Sequence, residues 1–319
     1  MNFLITGGAG FIGGHLTELL LRSGHSVAII DDLSTGSLKN LEKVQNHRNF
    51  ELVVGDVIAH PDLERLVRES DVVFHLAAAV GVELVVHDPV RTIMTNVNGT
   101  ERVLKYACQY GKRCIVASTS EVYGKSEKET FSESDDLLIG APTNSRWSYA
   151  CSKLLDEFML MAYCRNRNFR GTVVRFFNTV GPRQTGRYGM VVPRFVAAAL
   201  KGENLKVFGD GTQTRCFCHV YDTIRALLLL AENEASVGKI YNIGSNRSIS
   251  IEGLAKLVIE RTGSASGIEK IPYSQAYEQG FEDMLHRAPD CEKIRSQFGW
   301  SAEITLEQII DDVVAAMPL

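Results

Sequence analysis

The chain has 319 residues, 45% hydrophobic and 23% charged, with a formal net charge of -4. That length suits a nucleotide-binding α/β domain with a smaller appendage made from later segments. The mild acidity argues against a nucleic-acid surface and the composition against a disordered tail. No apolar run reaches the roughly 20 residues a membrane span needs, so no membrane partner is expected.

The first apolar strand, Phe3-Leu4-Ile5, leads into Thr6-Gly7-Gly8-Ala9-Gly10-Phe11-Ile12-Gly13, and helical spacing continues to residue 23. A glycine-rich turn between strand and helix cradles a pyrophosphate. Backbone can approach closely there, and the helix N-terminus offers unpaired N–H donors and partial positive charge. Gly7, Gly10, Phe11, Ile12 and Gly13 are therefore candidate cofactor contacts. The next strand, Ser26-Val27-Ala28-Ile29-Ile30, ends in Asp31-Asp32, where an acidic side chain accepts hydrogen bonds from adenosine ribose. A carboxylate there repels a 2′-phosphate, and Leu33-Ser34-Thr35-Gly36 holds no arginine to welcome one. The expected cofactor is NAD, its adenosine end met by Asp31, Asp32, Ser34, Thr35 and Gly36.

Further β-rich runs at 50–54, 72–76, 114–117 and 172–176 alternate with helical spacing at 61–70, 97–110 and 149–167. Such alternation predicts an α/β fold with a Rossmann-like, doubly wound parallel sheet. Ligands bind beyond the carboxyl ends of such strands, which here carry Gly55-Asp56, Ala77-Ala78-Ala79, Ser118-Thr119-Ser120 and Asn178. Val57, Leu76, Ala77 and Ala78 are expected beside the cofactor. Asp56 either meets the adenine amino group or caps the following helix.

Residues 1–180 form the predicted cofactor domain. Beyond Gly181, clusters such as Gly-Pro-Arg and Gly-Asp-Gly-Thr-Gln mark a second region, 181–319, for the second substrate. It interleaves with the first, because later strands return near 215–245: Ile240-Tyr241-Asn242-Ile243 reads as a buried strand and 220–232 as an apolar helix. Gly263-Ser264-Ala265-Ser266-Gly267 connects to a C-terminal lobe ending in a helix at 306–315. The seven cysteines lack a disulfide rhythm and the first strand lies close to Met1, so a reduced, cytoplasmic protein is expected. Cys216-Phe217-Cys218-His219 has no second ligand pair and reads as buried thiols, with no metal site.

Tyr149 and Lys153 stand at the i,i+4 spacing that places two side chains on one helix face. A Lys ammonium together with oxidised nicotinamide favours phenolate and lowers the tyrosine pKa. Tyr149 can then take a proton from a sugar hydroxyl, and the Thr119 hydroxyl can hold the same oxygen.

On these motifs, together with His75-Leu76-Ala77-Ala78, Asn96-Val97-Asn98-Gly99-Thr100, Ser118-Thr119-Ser120-Glu121-Val122-Tyr123-Gly124 and Arg175-Phe176-Phe177-Asn178, the chain resembles the NAD-dependent sugar epimerase/dehydratase family of extended short-chain dehydrogenases/reductases. The resemblance implies a nucleoside-diphosphate sugar, UDP-linked, as substrate, NAD recycled within each turnover, and a homodimer through the helices at 97–110 and 149–167. Arg183, Arg187, Arg215 and Arg287 are candidates for the substrate diphosphate, since guanidinium suits phosphate oxygens. Arg215, Arg287 and Asn178 match the family's pattern. Where the family shows Arg-Asp-Phe, this chain has Arg215-Cys216-Phe217, which removes an acidic neighbour. Residues 82–87 and 187–192, Val192 among them, are expected at the sugar end.

Decarboxylation, epimerisation and dehydration all branch from one 4-keto sugar. Thr119-Ser120-Glu121 resembles the Thr-Ser-Glu of uronic-acid decarboxylases and of GDP-mannose dehydratases, and Asp31 disfavours the phosphorylated cofactor of the latter. The leading expectation is a UDP-glucuronate decarboxylase, with Ser120 and Glu121 serving C5 protonation. A UDP-sugar 4-epimerase, in which Glu121 is a strand-end carboxylate, stands beside it. A 4,6-dehydratase and an inactive NAD sensor are less favoured.

Overall fold

Seven parallel strands form the central sheet, in the order β12-β7-β5-β4-β1-β2-β3. The computed structural model describes residues 1–80, 88–186, 190–272 and 287–317. In chain order the strands are β1 (Asn2–Thr6), β2 (Ser26–Asp31), β3 (Phe50–Val54), β4 (Val72–His75), β5 (Arg113–Thr119), β6 (Thr130–Phe131), β7 (Gly171–Phe176), β8 (Thr179–Val180), β9 (Leu205–Phe208), β10 (Thr214–Cys216), β11 (Cys218–His219), β12 (Lys239–Ile243), β13 (Ser248–Ser250), β14 (Ile268–Ile271) and β15 (Ala288–Pro289). The helices are α1 (Phe11–Arg22), α2 (Leu63–Glu69), α3 (Pro89–Gln109), α4 (Trp147–Arg167), α5 (Val191–Leu200), α6 (Val220–Glu232), α7 (Ile251–Thr262), α8 (Glu292–Phe298) and α9 (Leu306–Ala316).

Side chains alternate across a strand, and β1 divides accordingly. Phe3 and Ile5 enter a core with Leu16 and Leu20 of α1 and Leu227 and Leu230 of α6. Leu4 faces the other side, among Leu66 of α2, Leu104 of α3 and Leu160 of α4. Both faces are covered, as parallel sheets require. A third core joins Val192 and Phe195 of α5, Leu254 and Val258 of α7 and Ile310 and Val313 of α9.

The predicted strands and helices are found within a few residues of their expected bounds. The largest difference is α3, which begins at Pro89 rather than 97. Asp88 accepts from the Arg91 N–H at 3.0 Å and Pro89 occupies the first turn, a strong helix start hidden by the polar sequence around it. The strand at 239–243 pairs in parallel with β7 in the central sheet. Cys216 and Cys218 are buried thiols on different small sheets, as expected of that cluster. Among the described residues no helix is long and apolar enough to cross a membrane.

Candidate active site

A cleft of about 1820 Å³ runs along the carboxyl ends of the central strands and on between the two regions. At one end the chain turns so tightly that side chains are excluded. A Cβ on Gly13 would lie 2.3 Å from the Gly7 carbonyl oxygen, and one on Gly7, whose φ is +74°, 2.8 Å from the Ala77 nitrogen. Gly10 caps α1 without a side-chain hydrogen bond, so the helix presents bare N–H groups to the cleft. Phe11, Ile12, Asp32, Ser34, Thr35, Asp56, Val57, Leu76, Ala77 and Ala78 line the same wall.

Asp31 is 6% exposed and accepts from the Ala9 N–H at 2.9 Å and the Leu33 N–H at 2.8 Å. Burial raises its pKa. Each oxygen keeps a second lone pair, so the carboxylate both braces the glycine turn and can still accept from a ribose hydroxyl. Gly36 packs on that carboxyl rather than lining the cleft: its Cβ would meet Asp31 Oδ1 at 2.7 Å. Asp32 accepts from Ser34, and Asp56 caps the Ile58 N–H at 2.8 Å while facing the cleft.

Thr119 ends β5. Its Oγ accepts from the Glu121 N–H at 3.2 Å, which turns the chain into a short 3-10 segment, Ser120–Tyr123. The Thr119 hydroxyl faces the Tyr149 phenol and favours its ionised form. Beneath it, Ser118 donates to Glu157 of α4, and Arg175 of β7 grips that carboxylate at 2.7 and 3.0 Å. This buried pair locks β5, β7 and α4 together. Thr119 and Tyr149 therefore meet on rigid elements.

The expected depression of the Tyr149 pKa by Lys153 is not what the structure gives. Burial pushes the phenol up, the Glu121 and Asp156 carboxylates add to the rise, and the Thr119 hydrogen bond and Arg287 oppose it. The Lys153 ammonium is engaged by Asp156 Oδ2 at 2.6 Å, inside a pocket where Lys153 is 2% exposed.

Glu121 also departs from expectation. Its two oxygens are held by Arg287 and, at 3.1 Å, by Arg146. These guanidinium groups overcome the opposing effect of burial and hold its pKa at about 2. In this arrangement Glu121 carries no proton to deliver to C5. Ser120, 2% exposed, lines the cleft beside it.

Arg215, Arg287, Asn178 and Val192 all line the cleft. Arg287 donates to Asn178 Oδ1 at 2.7 Å, and Arg215 donates to the Thr214 carbonyl at 2.7 Å. Arg183 lines it too but is committed to the opposite wall. It donates to Glu18 at 2.6 Å and to the Asn40 carbonyl at 2.8 Å, and packs on His15, so it clips its loop to α1 instead of standing ready for a diphosphate. Arg187 and residues 82–87 lie outside the described residues.

Arg146 and Asp156 were not singled out by sequence reasoning. Asp156 stands three residues after its partner Lys153, whereas Arg146 reaches Glu121 across 25 positions. For Asp156 that i,i+3 relation was the available signal.

The sequence profile described as GDP-mannose 4,6 dehydratase matches residues 4–313. The chain is 40% identical over 312 residues to UDP-N-acetyl-alpha-D-glucosaminuronate decarboxylase of Bacillus cytotoxicus, covering 98% of this chain and 96% of that protein. It is 36% identical to UDP-glucuronic acid decarboxylase 1 of Xenopus tropicalis, across 98% of this chain and 71% of the relative. In structure it is similar to the UDP-glucuronic acid 4-epimerase of Bacillus cereus solved with UDP-glucuronic acid and NAD, with a TM-score of 0.89, 26% identity and coverage of 99% and 98%. A glycine cradle, a Thr-Tyr-Lys set on one cleft and a profile match over nearly the whole length lead to one statement: the chain belongs to the GDP-mannose 4,6 dehydratase family.

Proposed function

We propose that this protein is an NAD-dependent decarboxylase of a UDP-linked hexuronate, acting through a 4-keto sugar. The observation that carries the reading is the meeting of Thr119, Tyr149 and the Glu121, Arg146 and Arg287 cluster on a cleft that also contains the glycine cradle. The side-chain-free turn and the bare N-terminus of α1 fit NAD. When bound, NAD takes up hydride from the sugar C4 and returns it.

Tyr149 accepts the C4 hydroxyl proton while Thr119 holds that oxygen. With C4 a ketone, the C5 carboxylate is a β-keto acid. Its C–C bond breaks, CO₂ leaves, the electron pair enters the C4 enolate, C5 takes a proton from solvent water as the ketone re-forms, and Tyr149 gives its proton back to the C4 oxygen as hydride returns. Arg215 with Arg287 suits the diphosphate. Two relatives named as hexuronate decarboxylases support the choice of reaction. A 4-epimerase is the second reading. It is favoured by one observation: Glu121 is fully paired, and an epimerase needs no C5 proton donor.

Incubation with UDP-glucuronate, UDP-N-acetylglucosaminuronate and UDP-glucose in the presence of NAD⁺, with products read by mass spectrometry and NMR, tests the reading. Loss of CO₂ from a uronate is expected. A mass-neutral inversion at C4 would establish the epimerase instead.

We also take the boundary near residue 180 as the division between cofactor and sugar regions. Two copies are proposed to pair through α3 and α4, which expose Val90 and Met94 on one helix and Leu155 and Phe158 on the other. A cytoplasmic location fits the buried free thiols of Cys114, Cys216 and Cys218.

A further inference from the structure

Behind the Tyr149 and Lys153 pair lies a buried polar chain that the reaction as outlined does not use. Lys153 Nζ donates to Asp156 Oδ2 at 2.6 Å, with Asp156 fully buried. The Thr100 hydroxyl of α3 faces the Asp156 carboxyl and favours its ionised form. Thr100 Oγ stands 3.0 Å from His75 Nε2, and His75 Nδ1 stands 2.7 Å from Thr6 Oγ at the end of β1. Thr6 Oγ in turn accepts from the Ala77 N–H at 3.2 Å, on the wall of the cofactor cleft.

The proton positions along this chain follow in one direction. Because Thr6 accepts from Ala77, its own hydrogen is available to His75 Nδ1. His75 Nε2–H then donates to Thr100, whose hydroxyl hydrogen is left for Asp156. Burial, and secondarily the Lys153 charge, push the His75 pKa down to about 3, which keeps the ring neutral as this order requires. Asp156 Oδ1 is the loosest link, without an aligned hydrogen bond. An Asp at this depth needs a reason, since an unpaired buried charge is strongly disfavoured.

We propose that Asp156 is a positioning residue of the Tyr149 and Lys153 pair: its carboxylate holds the Lys153 ammonium in place, and Thr100, His75 and Thr6 stand between that carboxylate and the cofactor wall at Ala77. The proposal rests on Tyr149 being the base of the reaction above. Asp156 acts on Tyr149 in two opposite ways. Its own charge opposes phenolate directly, whereas by holding Lys153 in place beside Tyr149 it supports phenolate. The groups facing Tyr149 are Thr119 of β5, Glu121 of the following turn, Arg287 before β15 and Asp156 on its own helix. Those facing Asp156 are Lys153, Thr100 and Glu157. The Lys153 ammonium is 2% exposed and gripped at 2.6 Å, so removing its carboxylate costs Tyr149 more through the displaced Lys153 than the lost direct repulsion returns.

The test is the pH titration of tyrosinate absorbance in NAD⁺-loaded protein without sugar, with Tyr149→Phe in each background as the blank. It is independent of which sugar is the substrate and of which reaction follows. In Asp156→Asn the Tyr149 transition should move up by about one pH unit or more, and Thr100→Val should move it the same way by less. An unchanged transition in Asp156→Asn with only a lowered melting temperature would make Asp156 a structural residue and overturn the proposal. A downward move would overturn it too, because Asp156 would then act as a bare charge. If Asp156→Asn does not fold, Thr100→Val decides, an unchanged or lowered transition counting against the proposal.

Discussion

The Asn178 side chain bolts Arg287 to the end of β7: its Oδ1 accepts from the guanidinium at 2.7 Å while its Nδ2 donates to the Cys216 carbonyl at 2.9 Å. Asn178 has φ +30°, which few residues other than Gly and Asn adopt easily. Asn178→Ala should cost on the order of 2 kcal/mol in urea unfolding and weaken UDP binding roughly tenfold by calorimetry. Asn178→Gly should recover stability relative to Ala without recovering affinity. Equal affinity in all three proteins would remove Arg287 from the diphosphate site.

Tyr149→Phe keeps the ring and deletes the proton acceptor. Turnover should fall by roughly 10²- to 10⁴-fold, while NAD⁺ binding followed by fluorescence quenching stays close to wild type. Retained turnover would sink the proposed chemistry.

Glu121 carries a pH signature. Its folded pKa of about 2 lies below the ordinary 4.5, so its contribution to stability is present above about 4.5 and disappears as pH falls towards 2. The shift corresponds to on the order of 3 kcal/mol. Glu121→Gln should therefore be less stable by about that order at neutral pH, and the gap to wild type should narrow progressively in urea titrations below about pH 4.5. A gap of constant size across that range would mean that the two arginines do not set the Glu121 charge.

His15 predicts a second acid-sensitive window. Burial chiefly lowers its pKa from 6.5 to about 4, its Nε2 lying 3.0 Å from the Pro182 carbonyl oxygen and its Nδ1 2.6 Å from Arg183 Nη2. With the folded value depressed, the unfolded chain takes up the proton first. Stability should thus fall as pH drops from about 6.5 to about 4, and His15→Gln should flatten that part of the profile. Denaturant midpoints for both proteins across the range are the check.

Phe158 is 62% exposed on α4, beside Leu155 at 48%. Placing a charge there should prevent pairing at low cost to the fold. Phe158→Asp should sediment at half the mass of wild type. Unchanged sedimentation would remove this face from the interface.

Much of this molecule could be read from its residues because local signals and tertiary demands agree. The strand before Gly7, the acidic end of β2 and the helix bearing Tyr149 and Lys153 each carry their periodicity and their chemistry in one short segment. The start of α3 was less legible, since Asp88 and Pro89 open a helix whose first turns expose Val90 and Met94 instead of burying them. The partners of Glu121 and Arg183 were harder still. Arg287 comes from 166 positions away, and Arg183 meets Glu18 across 165, separations at which single-sequence spacing carries no information. The direction of the Tyr149 shift was not legible, because its largest cause is burial, followed by the distant Glu121 carboxylate, and both are set by the fold.

The core on the α1 side of the sheet has a bearing on how this polypeptide can be made. Phe3, Leu16 and Val27 share that core with Leu227, Tyr241, Ile294 and Trp300. Trp300 donates its indole N–H to the Asp222 carbonyl, and the Asp222 carboxylate receives the N–H groups of Glu303 and Ile304 at 3.0 Å each. β1 therefore waits for segments made far later in the chain before its apolar side is sealed. A truncated product ending near residue 180 would carry the whole glycine cradle and yet bare the flank of β1, β4 and β5, which marks it for aggregation rather than for use as a separate nucleotide-binding module.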